Sequence, residues 1–161
     1  MPTLPNFTVQ LVQAVDENFE QFSHPTLTLT DFITQQQTGL ILYFYPKDNT
    51  AGCSVQAQDF SEHQQALQQL GFSVIGVSRD SVKSHEKFIA NKQINFPLVS
   101  DTEQQLCKHF GVIGEKNMYG KKVLGVVRST FVFDKQGNLL HEFRNVRAKG
   151  HLTALLETLK P

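Results

Sequence analysis

Cysteine is scarce in this chain, with only Cys53 and Cys107 among 161 residues. They form no Cys-x-x-Cys pair, which disfavours a dithiol oxidoreductase of the thioredoxin type. The six histidines, at 24, 63, 85, 109, 141 and 151, show no paired ligand spacing. No metal or cofactor is therefore expected, and each histidine is expected at the surface or its boundary. "GVIGEKNMYG" lacks the Gly-Lys-Ser/Thr ending of a phosphate loop. Neither charge sign dominates, since Lys plus Arg and Asp plus Glu number 15 each. Nucleic acid and membrane surfaces are thus not expected partners. The N-terminus has no basic start followed by an apolar run, and the longest strongly apolar stretch, Leu40–Tyr45, cannot span a bilayer. These absences lead us to expect a cytoplasmic protein whose cysteines are free, reactive or transiently paired. No repeat or linker divides the chain, so residues 1–161 are expected to form one domain.

What is present is an alternation of patterns. Residues 1–38 are the least regular, with a β-like patch at Phe7–Leu11 and a short helix expected to start at Asp31. "LILYFY" (40–45) is a continuous apolar run, as in a strand covered on both faces. A helix is expected over Cys53–Leu70, ended by Gly71, and a second buried strand at 72–78. "DSVKSHEKFIANK" has Asp80 or Ser81 as its helix cap. A third strand is expected at 96–101, and a short helix around Cys107 stopped by Gly111. Residues 114–125 read as a polar loop or hairpin, and 126–134 as a strand. "DKQGN" turns that strand into "LLHEFRNV", and Leu152, Leu155, Leu156 and Leu159 stripe a final helix. Such an order predicts an α/β sandwich with a mixed central sheet, parallel early and antiparallel in its last pair. It is the order of a thioredoxin-like domain with an N-terminal extension.

Cys53 falls where the first apolar strand hands over to a helix. A free cysteine is by default a small buried apolar residue. A helix start, however, leaves amide hydrogens unpaired, and these favour an anion. Lowering a free thiol from pKa ~8.5 to ~6 needs about 3.4 kcal/mol, at ~1.36 kcal/mol per unit. A helix terminus supplies ~0.3–1 kcal/mol, at best ~2. A fixed cation is therefore required, and the candidates are Lys47, Arg79, Arg128, Arg144 and Arg147.

"FYPKDNTAGCS" resembles the active-site segment of peroxiredoxins, Pro-x-x-x-Thr-x-x-Cys, represented by Pro46, Thr50 and Cys53. "YFYPKDNTAGCSVQAQDF", "NMYGKKVLGVVRSTFVFDKQGNL" and the later Lys149-Gly150-His151 are similar to the bacterioferritin comigratory protein, or Q-type, branch. The resemblance covers about residues 39–159; the stretch 12–26 is longer than that family's usual link. It implies a thiol peroxidase in which the Cys53 thiolate attacks a peroxide oxygen. Arg128 would stabilise both the thiolate and the departing oxygen, with Thr50 and the amides of Gly52 and Cys53 holding the peroxide. Pro46 would shield the sulfur from water. Gln56 stands where the branch usually carries Glu, so a weaker tie to Arg128 is expected.

The resemblance also implies a step in which a thiol reduces the Cys53 sulfenic acid. The branch's local resolving positions are occupied here by Gln58 and, farther on, by Ile89 and its neighbours. Cys107 is the remaining candidate resolving thiol; its alternatives are a core cysteine or a pairing between molecules. One-cysteine recycling by an external thiol such as thioredoxin, glutaredoxin or glutathione is favoured, in a monomer or weak dimer. Two rivals stand beside this reading. One is a Cys–His acyl-transfer enzyme with His63 or His141 as base, of which His63 lies too far along the helix from Cys53. The other is a peroxide sensor that passes its oxidation to a partner by mixed disulfide.

Overall fold

The apolar run at 40–45 becomes β4 (Gly39–Phe44), buried along its whole length. A computed structural model describes residues 2–160. The parallel neighbour of β4 is β5 (Phe72–Ser78), which in turn pairs in parallel with β6 (Leu98–Ser100). On the other side β9 (Ser129–Phe133) runs antiparallel to β4, and β10 (Leu139–Phe143) antiparallel to β9. β1 (Val9–Ala14) closes the opposite edge against β6, flanked by β2 (Phe22–Ser23) and β3 (Thr26–Leu27). β7 (Ile113–Met118) and β8 (Lys121–Val126) form a separate two-stranded hairpin. The result is the expected α/β arrangement with a mixed sheet.

Side chains that alternate along β4 build two core layers. Leu40, Leu42 and Phe44 pack with α1 (Leu29–Gln36) and α5 (Gln105–His109). Ile41, Tyr43 and Tyr45 pack with α2 (Ala51–Glu62), α3 (Gln64–Gln69), α4 (Val82–Lys92) and α6 (His151–Leu159). Tyr43 stacks on Phe60 of α2 with ring centroids 4.6 Å apart, a pairing worth about 0.5–1.5 kcal/mol beyond its buried area. Gly76 makes room for that ring, because a Cβ there would sit 2.8 Å from Tyr43 Cζ.

Several expected boundaries move. The helix expected over 53–70 starts earlier, at Ala51, and breaks into α2 and α3 at His63, whose backbone (φ −106°, ψ 12°) leaves the helical region. There the His63 ring Nδ1 meets the Asp59 carbonyl, at 2.9 Å, a side-chain contact to the backbone at the point of the break. The β-like patch at 7–11 becomes β1 at Val9–Ala14, drawn on by pairing with β6. Thr28, not Asp31, caps α1: its hydroxyl accepts from the Asp31 amide at 3.0 Å. Ser81 caps α4, leaving Asp80 free for other partners. The strand expected at 126–134 is divided, with Val126 ending β8 and Arg128 preceding β9 rather than lying within it. Two histidines expected near the surface are buried: His85 is 0% and His151 6% exposed.

Candidate active site

The strand register explains why distant residues meet. Phe44 pairs with Ser129, so the chain leaving β4 at Tyr45–Pro46 lies beside the chain entering β9 at Arg128. Beyond Pro46 the backbone turns and starts α2, with Thr50 at the N-cap. The first ladder bond of α2 runs from the Ser54 amide to the Thr50 carbonyl. The amides of Ala51, Gly52 and Cys53 precede that ladder and remain the donors of a helix start.

Cys53 is 1% exposed. Arg128 Nη2 donates to Cys53 Sγ at 3.2 Å, and Nη1 donates to Gln56 Oε1 at 2.6 Å. Gln56 lies one helical turn beyond Cys53, is also buried, and its Nε2 has no partner among the described residues. In place of a weaker tie there is a short bond to a neutral amide, so this partner leaves the guanidinium charge unneutralised. Gly52 leaves room for the guanidinium, since a Cβ there would stand 3.3 Å from Arg128 Nη2. Of the other candidate cations, Arg144 is engaged with the Phe110 and Gly111 carbonyls and the Phe131 ring. Arg79 lies toward Cys107, whose ionisation it favours.

Pro46 and Arg128 line one cavity with Glu115, Val127, Asn145 and Val146, about 400 Å³ in volume. Thr50 is exposed at the start of α2. Its hydroxyl donates to the Lys47 carbonyl at 3.0 Å and makes no cap bond. The structure therefore places Thr50 one turn from the sulfur with its hydroxyl on the loop, not on Cys53 or Arg128.

Cys107 lies in the core layer on the opposite side of the sheet from Cys53. It is 0% exposed. Burial, and then the neighbouring Asp101 carboxylate, push its thiol far up, so it stays protonated. Asp101 also accepts from the Leu106 and Cys107 amides, at 3.0 and 2.8 Å, which fixes the helix that carries the thiol.

Reading the sequence alone overlooked two groups. His151 Nε2 meets Thr130 Oγ1 at 2.9 Å. Burial and the nearby Arg128 lower its pKa to about 4, so it is a neutral neighbour to the guanidinium. Asp48 and His85 form a second buried polar cluster under the loop that leads to α2. Among the described residues no group of three His, Cys, Asp or Glu side chains is placed to hold a metal, and no helix is long and apolar enough to cross a membrane.

One guanidinium thus donates to a buried sulfur in the first turn of a helix, an arrangement that suits an anionic sulfur and an oxygen that gains negative charge. Residues 3–142 match the AhpC/TSA family. The chain is 49% identical over 121 residues to a peroxiredoxin Bcp of Xanthomonas campestris pv. campestris, covering 75% of this chain and 76% of that one. It is 42% identical over 121 residues to peroxiredoxin Bcp of Bacillus subtilis, covering 75% and 77%. A Xanthomonas campestris bacterioferritin comigratory protein, solved in a study of its alkyl peroxide reduction, superposes with a TM-score of 0.80 at 38% identity, covering 99% of this chain and 96% of that one. A cysteine-to-serine mutant of Xylella fastidiosa PrxQ superposes with a TM-score of 0.83 at 38% identity, covering 98% and 92%. The chain belongs to the AhpC/TSA family, as a thiol-dependent peroxidase of the Bcp/PrxQ kind.

Proposed function

We propose that Cys53 is the peroxide-reducing thiol of this peroxidase and that an external thiol recycles it. The observation that carries the reading is the forked contact of Arg128, with one arm on Cys53 Sγ at 3.2 Å and the other on Gln56 at 2.6 Å. In the first step the Cys53 thiolate attacks one oxygen of a hydroperoxide ROOH in line. The S–O bond forms, the O–O bond breaks, and RO⁻ leaves to take up a proton as alcohol, or as water when R is hydrogen. The Arg128 guanidinium keeps its charge and donates in a fixed fork, so it serves both the thiolate and the departing oxygen. Amides at Gly52 and Cys53 and the Thr50 hydroxyl, after leaving the Lys47 carbonyl, hold the peroxide. Pro46 offers no donor and walls the cavity against water.

The sulfenic acid is then reduced from outside. One thiol condenses with it, releasing water and leaving a mixed disulfide, and a second thiol frees Cys53. The position of Cys107 across the sheet, held protonated, supports this route, because a disulfide requires α-carbons within about 7 Å. The substrates are hydrogen peroxide and organic hydroperoxides. The donor is a small thiol or a dithiol protein such as glutathione, glutaredoxin or thioredoxin, in the reducing cytoplasm. One sheet drawing strands from both the N-terminal extension and the rest supports residues 1–161 acting as one domain.

Stopped-flow peroxide consumption with excess thiol tests the proposal. Cys53→Ser should abolish turnover and Cys107→Ser leave it within about twofold. An internal disulfide in the oxidised wild type, together with loss of turnover in Cys107→Ser, would overturn the recycling route. A single turnover that ends in a persistent mixed disulfide with a protein would instead mark a peroxide sensor.

A further inference from the structure

The loop from Pro46 to Thr50 carries one wall of the cavity and the start of α2, yet none of the chemistry above uses its central residue. Asp48 is buried beneath that loop, and its carboxylate accepts three bonds. Tyr45 Oη donates to Oδ1 at 2.7 Å, and Ser84 Oγ donates to Oδ2 at 2.9 Å. His85 Nδ1 faces Oδ2 at 2.7 Å. The second ring nitrogen, Nε2, lies 2.8 Å from the Val99 carbonyl. A carbonyl only accepts, so Nε2 carries a hydrogen. A proton therefore lies on the line between Nδ1 and Asp48 as well, since two bare acceptors would not meet at 2.7 Å. Burial and the Asp48 charge raise the Tyr45 pKa, which keeps that hydroxyl a donor. The backbone of the same loop is also fixed, because the Asp48 amide donates to Asp80 Oδ2 at 2.9 Å.

All of these partners come from outside the loop, two of them, Ser84 and His85, from α4. Arg128 reaches the site from the residue just before β9. The two halves of the site are thus held by different parts of the fold, with one buried carboxylate bonded between Tyr45 and α4 on the Cys53 side. We propose that Asp48 and His85 are positioning residues, a buried latch that ties the loop before Cys53 to helix α4 and so aligns the thiolate with Arg128 for in-line attack on the peroxide. Alignment of this kind is worth much in rate, because a misplacement of about 1 Å can cost about 100-fold. A carboxylate with three buried donors also has one preferred place, whereas a solvated loop aspartate has many.

This inference rests on Cys53 being the peroxide-reducing thiol, and its test separates the two. The measured quantities are the second-order rate of Cys53 oxidation by hydrogen peroxide, the rate of Cys53 alkylation by iodoacetamide, and the melting temperature. Alkylation needs the thiolate but no alignment of a second oxygen with Arg128. Asp48→Asn and His85→Leu should each slow oxidation at least about tenfold while alkylation changes less than about twofold. His85→Asn, whose amide can replace the Nδ1 donor, should recover part of the loss. The double variant Asp48→Asn/His85→Leu should be no slower than the worse single one, because both break one unit. Should those variants not fold, Ser84→Ala removes a single donor and should slow oxidation about threefold with alkylation unchanged. Oxidation within twofold of wild type in every folded variant would overturn the latch. So would an equal fall in oxidation and alkylation. If the wild type itself fails to consume peroxide, or Cys53→Ser still does, the catalytic reading fails instead.

Discussion

His151 ties stability to pH through its position beside the guanidinium. The ring is buried at the first position of α6, against Thr130, with its pKa lowered from 6.5 to about 4 by burial and then by Arg128. A helix start also disfavours a cation. Because the folded pKa lies below the unfolded one, the unfolded chain binds the extra proton between pH 6.5 and 4. Stability from this residue is therefore full above pH 6.5 and is lost progressively as pH falls toward 4. The two titrations give a loss of about 2 kcal/mol by pH 5, approaching ~3 kcal/mol below pH 4. His151→Gln keeps a polar group for Thr130 but cannot titrate. Urea unfolding of both proteins at pH 7.5 and pH 5 isolates the effect, since every other group titrates in both. Wild type should lose about 2 kcal/mol more than the variant between the two conditions. Equal losses, within ~0.5 kcal/mol, would show that the ring is not held neutral by its surroundings.

Three further outcomes follow from the Arg128 fork. Arg128→Met should cut the peroxide rate by about 100- to 1,000-fold, the usual effect of deleting a donor to developing negative charge; stopped-flow rates within threefold of wild type would remove Arg128 from the chemistry. Gln56→Leu deletes the acceptor at 2.6 Å and should slow oxidation about tenfold, in line with ~1.5 kcal/mol for a bond to a charged group. Its melting temperature should fall modestly, because Arg128 Nη1 loses its acceptor while the unpartnered Nε2 leaves with the side chain. Gly52→Ala should gain up to ~1 kcal/mol of helix propensity and yet oxidise more slowly, since the new Cβ would stand 3.3 Å from Arg128 Nη2; a faster or unchanged rate in the same stopped-flow assay would refute that crowding.

The parts legible in the sequence were those with a local signal. β4 reads as a strand because its apolar run is uninterrupted, and the DKQGN turn because Asp134 and Gly137 suit it. Pro46, Thr50 and Cys53 share one short segment, so their proximity needs little folding to foresee. Arg128 was readable only through the resemblance of its surrounding string, since its meeting with Cys53 depends on the register of β4 with β9. The break at His63 was invisible because the apolar spacing continues through it. Asp48 looked like a turn residue and His85 like one more polar position on a polar helix. Their burial is decided by each other and by Ser84 and Tyr45, contacts that no periodicity encodes. Cys107 kept three readings open in the sequence, and its place on the far side of the sheet from Cys53 depends on the whole strand order.

The β7–β8 hairpin shares no strand pairing with the large sheet among the described residues, yet it contributes Glu115 to the cavity and leads into Val127. Pro46, Arg128 and Val146 belong to the other wall, where Val146 is bonded to the Arg128 carbonyl. The cavity is thus a vice with one jaw set in the main sheet and one hung beside it. The arm's side of that cavity shares no ladder with the main sheet among the described residues. On the proposed reading, Glu115 on the arm and the Cys53–Arg128 pair then belong to separate pieces of the chain, so substitutions on the arm reach the cavity lining without touching the sulfur or its guanidinium.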